Sequence, residues 1–347
     1  MQFTDDDVPL SIDSETLRSE PHGFAPDEMI RCDACLRANP PTRTICLYCS
    51  VELPSSEALS ALRKPVLRRL QKWEHGFNVV LVPESTSEFT VGALPEIAEM
   101  LRLNPEDLRQ ILEARETLPV ARASTPGEAE LIVGNLKERG LKTHVIADQD
   151  LGIEEAAPRR ARSFELTENE LVAHTAGGGE SWSTPWNDIA LLVVGRLFVR
   201  EIEIEERNTR KAERDIVDAR EMSADEAVLD TYTAGGNKCW RVTAGSFDFS
   251  CLGSKKDLIA LRNFSTLVEV LRVRSSGAVY DDAYNRVRNP LTAVWPLEQQ
   301  TESRGWRRRR PGLVSLEAVT RSDNEIQFTR YSLLRRYLQL HHSELSA

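Results

Sequence analysis

Nowhere in the 347 residues is there an unbroken run of about 18 apolar side chains, so a membrane-spanning helix is excluded on sequence. The start, Met1-Gln2-Phe3-Thr4-Asp5-Asp6-Asp7, has neither the basic residues nor the apolar stretch of a secretory signal, and a cytoplasmic protein is expected. Motifs that carry chemistry are equally scarce. The sequence has no Walker loop, no G-x-G-x-x-G, no H-E-x-x-H and no G-x-S-x-G, and its 6 histidines are scattered. No nucleophile–base pair is visible, so no catalytic residue is assigned and a non-enzymatic protein is expected. Excess basic charge is also missing. With 54 acidic against 44 basic side chains the formal charge is −10, which opposes non-specific adhesion of the whole chain to nucleic acid or anionic lipid.

What the sequence does contain is a cluster of cysteine. Of 6 cysteines, four fall between positions 32 and 49: Cys32-Asp-Ala-Cys35, ten residues, then Cys46-Leu-Tyr-Cys49. Each C-x-x-C pair can form a knuckle that turns two sulfurs toward one ion. The intervening loop is long enough to bring the second knuckle opposite the first. Four thiolates then close a tetrahedron, the arrangement that suits one structural zinc ion and leaves no position for a reactive water. Two local disulfides fit poorly with a chain lacking an export signal. A thioredoxin-like redox pair fits poorly with the turn at Asn39-Pro40-Pro41. A segment this small cannot bury a core, so the metal would supply most of its folding free energy.

The stretch from Cys32 to Leu53 resembles the short zinc ribbons of multidomain bacterial proteins, with Asn-Pro after the first knuckle and Glu-Leu after the second. Its C-x2-C-x3-N-x6-C-x2-C spacing is similar to the Ran-binding type of zinc finger, whose members bind RNA or ubiquitin. The recognition residues differ: no Trp precedes Cys32, and Leu36-Arg37 stands where ubiquitin-binding members carry Thr-Phe. Leu36 and Ser50 occupy the positions where ribbon knuckles usually have glycine. The resemblance therefore implies metal ligands and no particular ligand for the finger.

The rest of the chain reads as an α+β multidomain protein. Residues 1–29 lack periodicity and are expected to be disordered. The ribbon spans 30–54, and Leu59, Leu62, Val66, Leu67 and Leu70 suggest a linker helix over 55–75. Residues 76–150 give the order β-α-α-β-α-β: a strand at Phe77–Val82, a helix through Leu94–Leu101, a helix capped by Asn104, a strand at Pro119–Ala123, a helix opened by Thr125-Pro-Gly-Glu128 and stopped by Gly140, and a strand at Leu141–Ile146. This segment resembles the C-terminal domain of the bacterial ribosomal stalk protein. The basic factor-binding surface of that family is not reproduced, because Leu103–Gln110 carries two acids and one Arg.

Residues 160–275 break into seven β-prone runs: 163–166, 170–175, 188–194, 197–206, 227–233, 238–243 and 247–252. A helix beginning at Ser254-Lys-Lys-Asp257 follows, with Leu258, Leu261, Phe264, Leu267, Val268 and Leu271 as its apolar stripe. A seven-strand barrel or sandwich closed by a helix resembles the pleckstrin-homology-like fold. Such domains bind phosphoinositides through basic residues in an early loop. Here the loop 176–185 has none, so no phosphoinositide site is expected. Gly177-Gly178-Gly179 reads as a hairpin tip, and Glu201, Glu203 and Glu205 as the wet face of a strand. Residues 207–226 read as a charged, exposed and helical insertion. A two-residue turn at Ala244-Gly245 would put Cys239 and Cys251 on opposite faces as inert thiols.

Residues 276–347 are hardest to assign, with a strand suggested at Asn324–Phe328 and a docking helix through Leu333, Leu334, Tyr337 and Leu338. Ahead of both lie Arg304, Trp306, Arg307, Arg308, Arg309 and Arg310, five arginines around one aromatic, a set that can hold phosphates and stack on a base. The expected function is a non-enzymatic adaptor or regulatory protein with unidentified protein partners and one structural Zn2+. The alternative is an RNA- or ribosome-associated factor using the ribbon and the Arg304–Arg310 patch. An enzyme with a site between domains is the third reading.

Overall fold

A computed structural model describes residues 24–26, 28–54, 65, 67–71, 74–83, 91–153, 157–176, 181–208, 214–235, 239–310 and 313–341; the side chains at 91, 205–208, 214–218, 304–310 and 313–317 fall outside it. The chain divides into two units, Met1–Lys64 and Pro65–Ala347. The architecture is mixed α+β with several sheets. Among the described residues, no helix is long and apolar enough to cross a membrane. Most of residues 1–29 lie outside the described set, as do residues 55–64 of the expected linker helix. The rest of that expectation needs correction: Leu67–Gln71 carries no helix, although Leu67 is buried.

In the first unit, strands Ile30–Arg31 and Ala38–Asn39 form an antiparallel pair around the first knuckle. In the second unit, the segment from 77 to 147 has the expected order. Strand Phe77–Leu81 lies between Leu118–Ala123 and Thr143–Ala147, antiparallel to both. The caps read from sequence are formed. Asn104 Oδ1 accepts from Glu106 N at 2.9 Å, and Thr125 Oγ1 accepts from Glu128 N at 3.2 Å. The buried Glu128 carboxylate reaches back to the N–H of Ser124, one residue before the cap. Gly140, at φ 82°, ends the helix Pro126–Glu138 in the left-handed conformation that glycine adopts freely.

The β-rich region departs from the sequence reading in four places. First, the expected loop 176–185 contains a strand, Ser181–Pro185, which pairs with Glu170–His174; residues 177–180, with the whole triple glycine, lie outside the described set. Second, the runs expected at 188–194 and 197–206 are one strand, Ile189–Asn208. The expected helical insertion is instead part of its antiparallel partner, Arg214–Thr233. Gly195 is therefore not a turn. A Cβ there would sit 2.5 Å from the Phe328 ring and 2.9 Å from that of Tyr284, so the glycine admits two aromatic side chains against the strand backbone.

Third, the expected strand 247–252 is replaced by a 3-10 helix, Phe249–Lys255, in which Asp248 accepts from Ser250 N at 3.0 Å. A short acceptor side chain competes with ladder pairing in this way. Among the described residues, six strands, not seven, therefore fall between 163 and 252 once the Ser181–Pro185 strand is counted and the two fused runs are taken as one. Cys239–Thr243 pairs with Tyr232–Val228, so the expected hairpin at Ala244-Gly245 is not formed. Fourth, the following helix starts at Ala260, not Ser254, and the expected stripe residues Leu258 and Leu261 are exposed while Phe264, Leu267, Val268 and Leu271 are buried.

The C-terminal residues join the same large sheet, whose strand order runs Glu298–Arg310, Leu313–Asp323, Ile189–Asn208, Arg214–Thr233, Cys239–Thr243 and Arg159–Arg160, with Val279–Asp281 parallel to Ile189–Asn208. The expected strand at Asn324–Phe328 is the opening turn of a helix, Glu325–Leu340. Asn324 fixes that start, since its Oδ1 accepts from Phe198 N at 2.6 Å and its Nδ2 donates to Arg196 O at 3.0 Å.

Strand alternation builds two cores, one on each side of the large sheet. Leu191, Val193, Val228 and Tyr232 face a core shared with the helices Tyr284–Leu291 and Glu325–Leu340 and with the 77–147 segment. Leu192, Leu229, Trp240 and Val242 face a second core under the helix Ala260–Arg274. Cys239 belongs to the first core and Cys251 packs on the second, and burial pushes the Cys239 thiol up to about 11.

Buried ion pairs lock the C-terminal helix in place. Asp148 accepts from Gly76 N at 2.8 Å, from Asn78 Nδ2 at 2.9 Å, from Arg330 Nη1 at 2.7 Å and from Arg122. Trp295 Nε1 donates to Asn78 Oδ1 at 2.9 Å. Nearby, Asp230 receives a bidentate pair from Arg241, both contacts at 2.7 Å, beneath Phe328.

Candidate metal centre

The four cysteine sulfurs expected to hold a metal lie within 4.8 Å of one another and could bind one ion. Cys32 Sγ and Cys49 Sγ are 3.5 Å apart, and Cys35 Sγ and Cys46 Sγ 3.6 Å. A tetrahedron with metal–sulfur bonds of about 2.3 Å has edges of about 3.8 Å, so these separations suit zinc or a similar soft divalent ion. None of the four is in a disulfide.

Local backbone geometry explains the convergence. The two knuckles are the same structure repeated fourteen residues on. Cys32 N donates to Arg37 O at 3.0 Å and Leu36 N to Cys32 O at 2.8 Å; Cys46 N donates to Val51 O at 2.8 Å and Ser50 N to Cys46 O at 3.1 Å. The pairing Arg31↔Ala38 is matched by the bridge Ile45↔Glu52. Each turn needs a left-handed residue after its second cysteine, and Leu36 at φ 58° and Ser50 at φ 59° supply it without being glycine. A non-glycine residue in that region costs about 1–2 kcal/mol, partly offset by the greater freedom glycine has when unfolded. L36G and S50G should therefore each tighten zinc binding by about 2–5-fold, about 0.5–1 kcal/mol, in competition against a chromophoric chelator.

Asn39 ties the repeats together. Its Nδ2 donates to Cys46 Sγ at 3.5 Å, and its Oδ1 accepts from Leu47 N at 2.8 Å, so the first hairpin orients a sulfur of the second knuckle. The sequence reading took this Asn as a turn marker and missed the role. The signal available was an amide side chain set seven residues before the third cysteine.

Two of the sulfurs are driven in opposite directions. Burial pushes the Cys46 thiol up, but the N–H groups of Tyr48 and Cys49 and the Asn39 amide outweigh it and bring it down to about 6. Cys49 goes the other way. The Val51 N–H pulls it down, while burial and the three neighbouring sulfurs together push it up to about 12. A divalent ion among the four removes that conflict.

Of the other expected site, Arg304, Trp306, Arg307, Arg308, Arg309 and Arg310 lie in the strand Glu298–Arg310 at the edge of the large sheet, where Trp306 pairs with Leu316 and Arg308 with Val314. Their side chains are outside the described set. No family model, no curated protein and no solved structure gives a significant match to this chain.

Proposed function

We propose that this protein is a non-enzymatic adaptor whose N-terminal module is held together by one structural zinc ion on Cys32, Cys35, Cys46 and Cys49 and contacts a partner protein. One observation carries the reading: the module leaves four large apolar side chains exposed. It buries Cys32, Cys46 and Leu53, while Leu36, Leu47, Tyr48 and Val51 are 71%, 52%, 55% and 46% exposed. A segment of this size spends few apolar residues on its surface unless another surface covers them. The second unit then supplies further contact faces. Its 76–150 segment resembles the stalk-protein domain in element order, and its 160–275 segment resembles a pleckstrin-homology-like domain in having strands closed by a helix.

The test is affinity capture with the full chain, wild type against L47S/Y48S, followed by zinc analysis of the bait. Both substitutions lie off the metal ligands, so zinc should stay at one per chain while a specific partner is lost. Identical capture by both baits would contradict the reading.

A second reading, an RNA- or ribosome-associated factor in the cytoplasm, is favoured by the Arg37 guanidinium lying 4.7 Å over the exposed Tyr48 ring and by the Arg304–Arg310 strand. Salt-dependent RNA binding that weakens when Arg307–Arg310 become alanine would support it; no binding at low salt would remove it.

A further inference from the structure

Arginines gather around one pair of cavities in the second unit. Two adjoining cavities, of about 380 and 480 Å³, share Arg69, Leu70, Arg122 and Pro296 as walls. Such volumes are in the range of small-molecule sites. Arg68 and Arg102 line the first and Arg330 the second, so five guanidinium groups border the pair. The carboxylates facing them are fewer. Arg68 is bound by Glu74 at 2.8 Å, Arg122 and Arg330 share the single carboxylate of Asp148, and Glu298 lines the second cavity. Arg69 and Arg102 have no carboxylate partner among the described residues. Buried Glu128 adds a further negative charge near Arg68. The cations left without an ion partner are therefore the two exposed ones, Arg69 and Arg102, while Arg122 and Arg330, with side chains only 10% and 9% exposed, are held by Asp148.

Two guanidiniums that line one cavity and have no carboxylate partner offer a site for an anion. Beside Thr292, the rest of the first cavity is apolar, with Leu67, Leu103, Val120 and Val294, whereas the second adds Trp295 and four glutamines. We infer that this cleft binds a small phosphate monoester with an apolar body, its phosphate held by Arg69 and Arg102 beside Arg122 and its body against the Leu67–Val120–Val294 wall. The charge decides the head group, because a phosphate monoester carries close to two negative charges at neutral pH and a carboxylate carries one. Guanidinium forks also match phosphate oxygens in bidentate geometry. This site uses none of the metal module's residues, and the inference does not rest on the adaptor reading.

Calorimetric titration of the full chain with phenyl phosphate, inorganic phosphate, benzoate and phenol tests it. Phenyl phosphate should bind saturably at one per chain, at least 10-fold tighter than each of the other three. R69A/R102A, two exposed positions, should weaken phenyl phosphate at least 10-fold while leaving the unliganded melting temperature unchanged. Absence of phenyl phosphate binding, equal binding of benzoate or phenol, or an unaltered double variant would overturn the proposal. Inorganic phosphate binding as tightly as phenyl phosphate would overturn its apolar half.

Discussion

Replacing Cys46 with serine will strip the metal from the N-terminal module and unfold it. Among the described residues, the module's hydrophobic core is Cys32, Cys46 and Leu53 with Cys35 packed against them, too little apolar surface to offset the cost of ordering its backbone. Structural zinc contributes about 10–16 kcal/mol in peptides of this size near neutral pH, so the ion and the fold stand or fall together. Cys46 also accepts from Asn39 and from Tyr48 N, so its loss disconnects the two repeats as well as one ligand. In hydrogen exchange, C46S should lose amide protection from Ile30 to Leu53, and its zinc content should fall to near zero. C251S, a thiol outside the cluster, should keep one zinc per chain. A C46S chain with the exchange pattern of the wild type would show that sulfur ligation does not hold the module.

The second large effect is expected at Asp148. Its carboxylate is almost wholly buried between Arg122 and Arg330, so D148A leaves two guanidiniums uncompensated and should cost about 3–5 kcal/mol in chemical denaturation. Burial by itself would raise the Asp148 carboxyl, but Arg330 and Arg122, with the Asn78 amide, outweigh it and hold it below the ordinary carboxylate value. As pH falls, the unfolded chain therefore takes up this proton before the folded one does. The contribution is complete above about pH 4 and disappears as pH drops through the lower folded value. D148N should be destabilised at neutral pH and should lack that acid-limb slope. Stability of D148A within about 1 kcal/mol of wild type would contradict the assignment of this network as a lock.

Much of this fold was legible where local rules decide it. The 77–147 segment has caps, a glycine stop and alternating runs that all agree, and the structure follows them. The cysteine spacing likewise marked out the four side chains that converge. Elsewhere tertiary contacts overrode local signals. Gly195 has the look of a turn, yet its missing Cβ is what admits Phe328 and Tyr284. Charge between 207 and 226 hid a strand, because that residue mix is set by exposure and not by backbone conformation. Asn324–Phe328 alternates like a strand, but the Asn324 side chain, accepting from Phe198 N and donating to Arg196 O and the Tyr284 hydroxyl, starts a helix there. The arginine-rich cleft could not be read from spacing at all, since Arg69, Arg102, Arg122 and Arg330 are brought together only by the fold.

Metal content measured on the purified, untreated full chain, by elemental analysis paired with native mass spectrometry, bears most directly on the central assignment. One zinc per chain is expected, lost on chelation together with the fold of residues 30–53 and restored by adding zinc back. A metal-free chain about 4 Da lighter than its reduced mass, the signature of two disulfides among these cysteines, would contradict it.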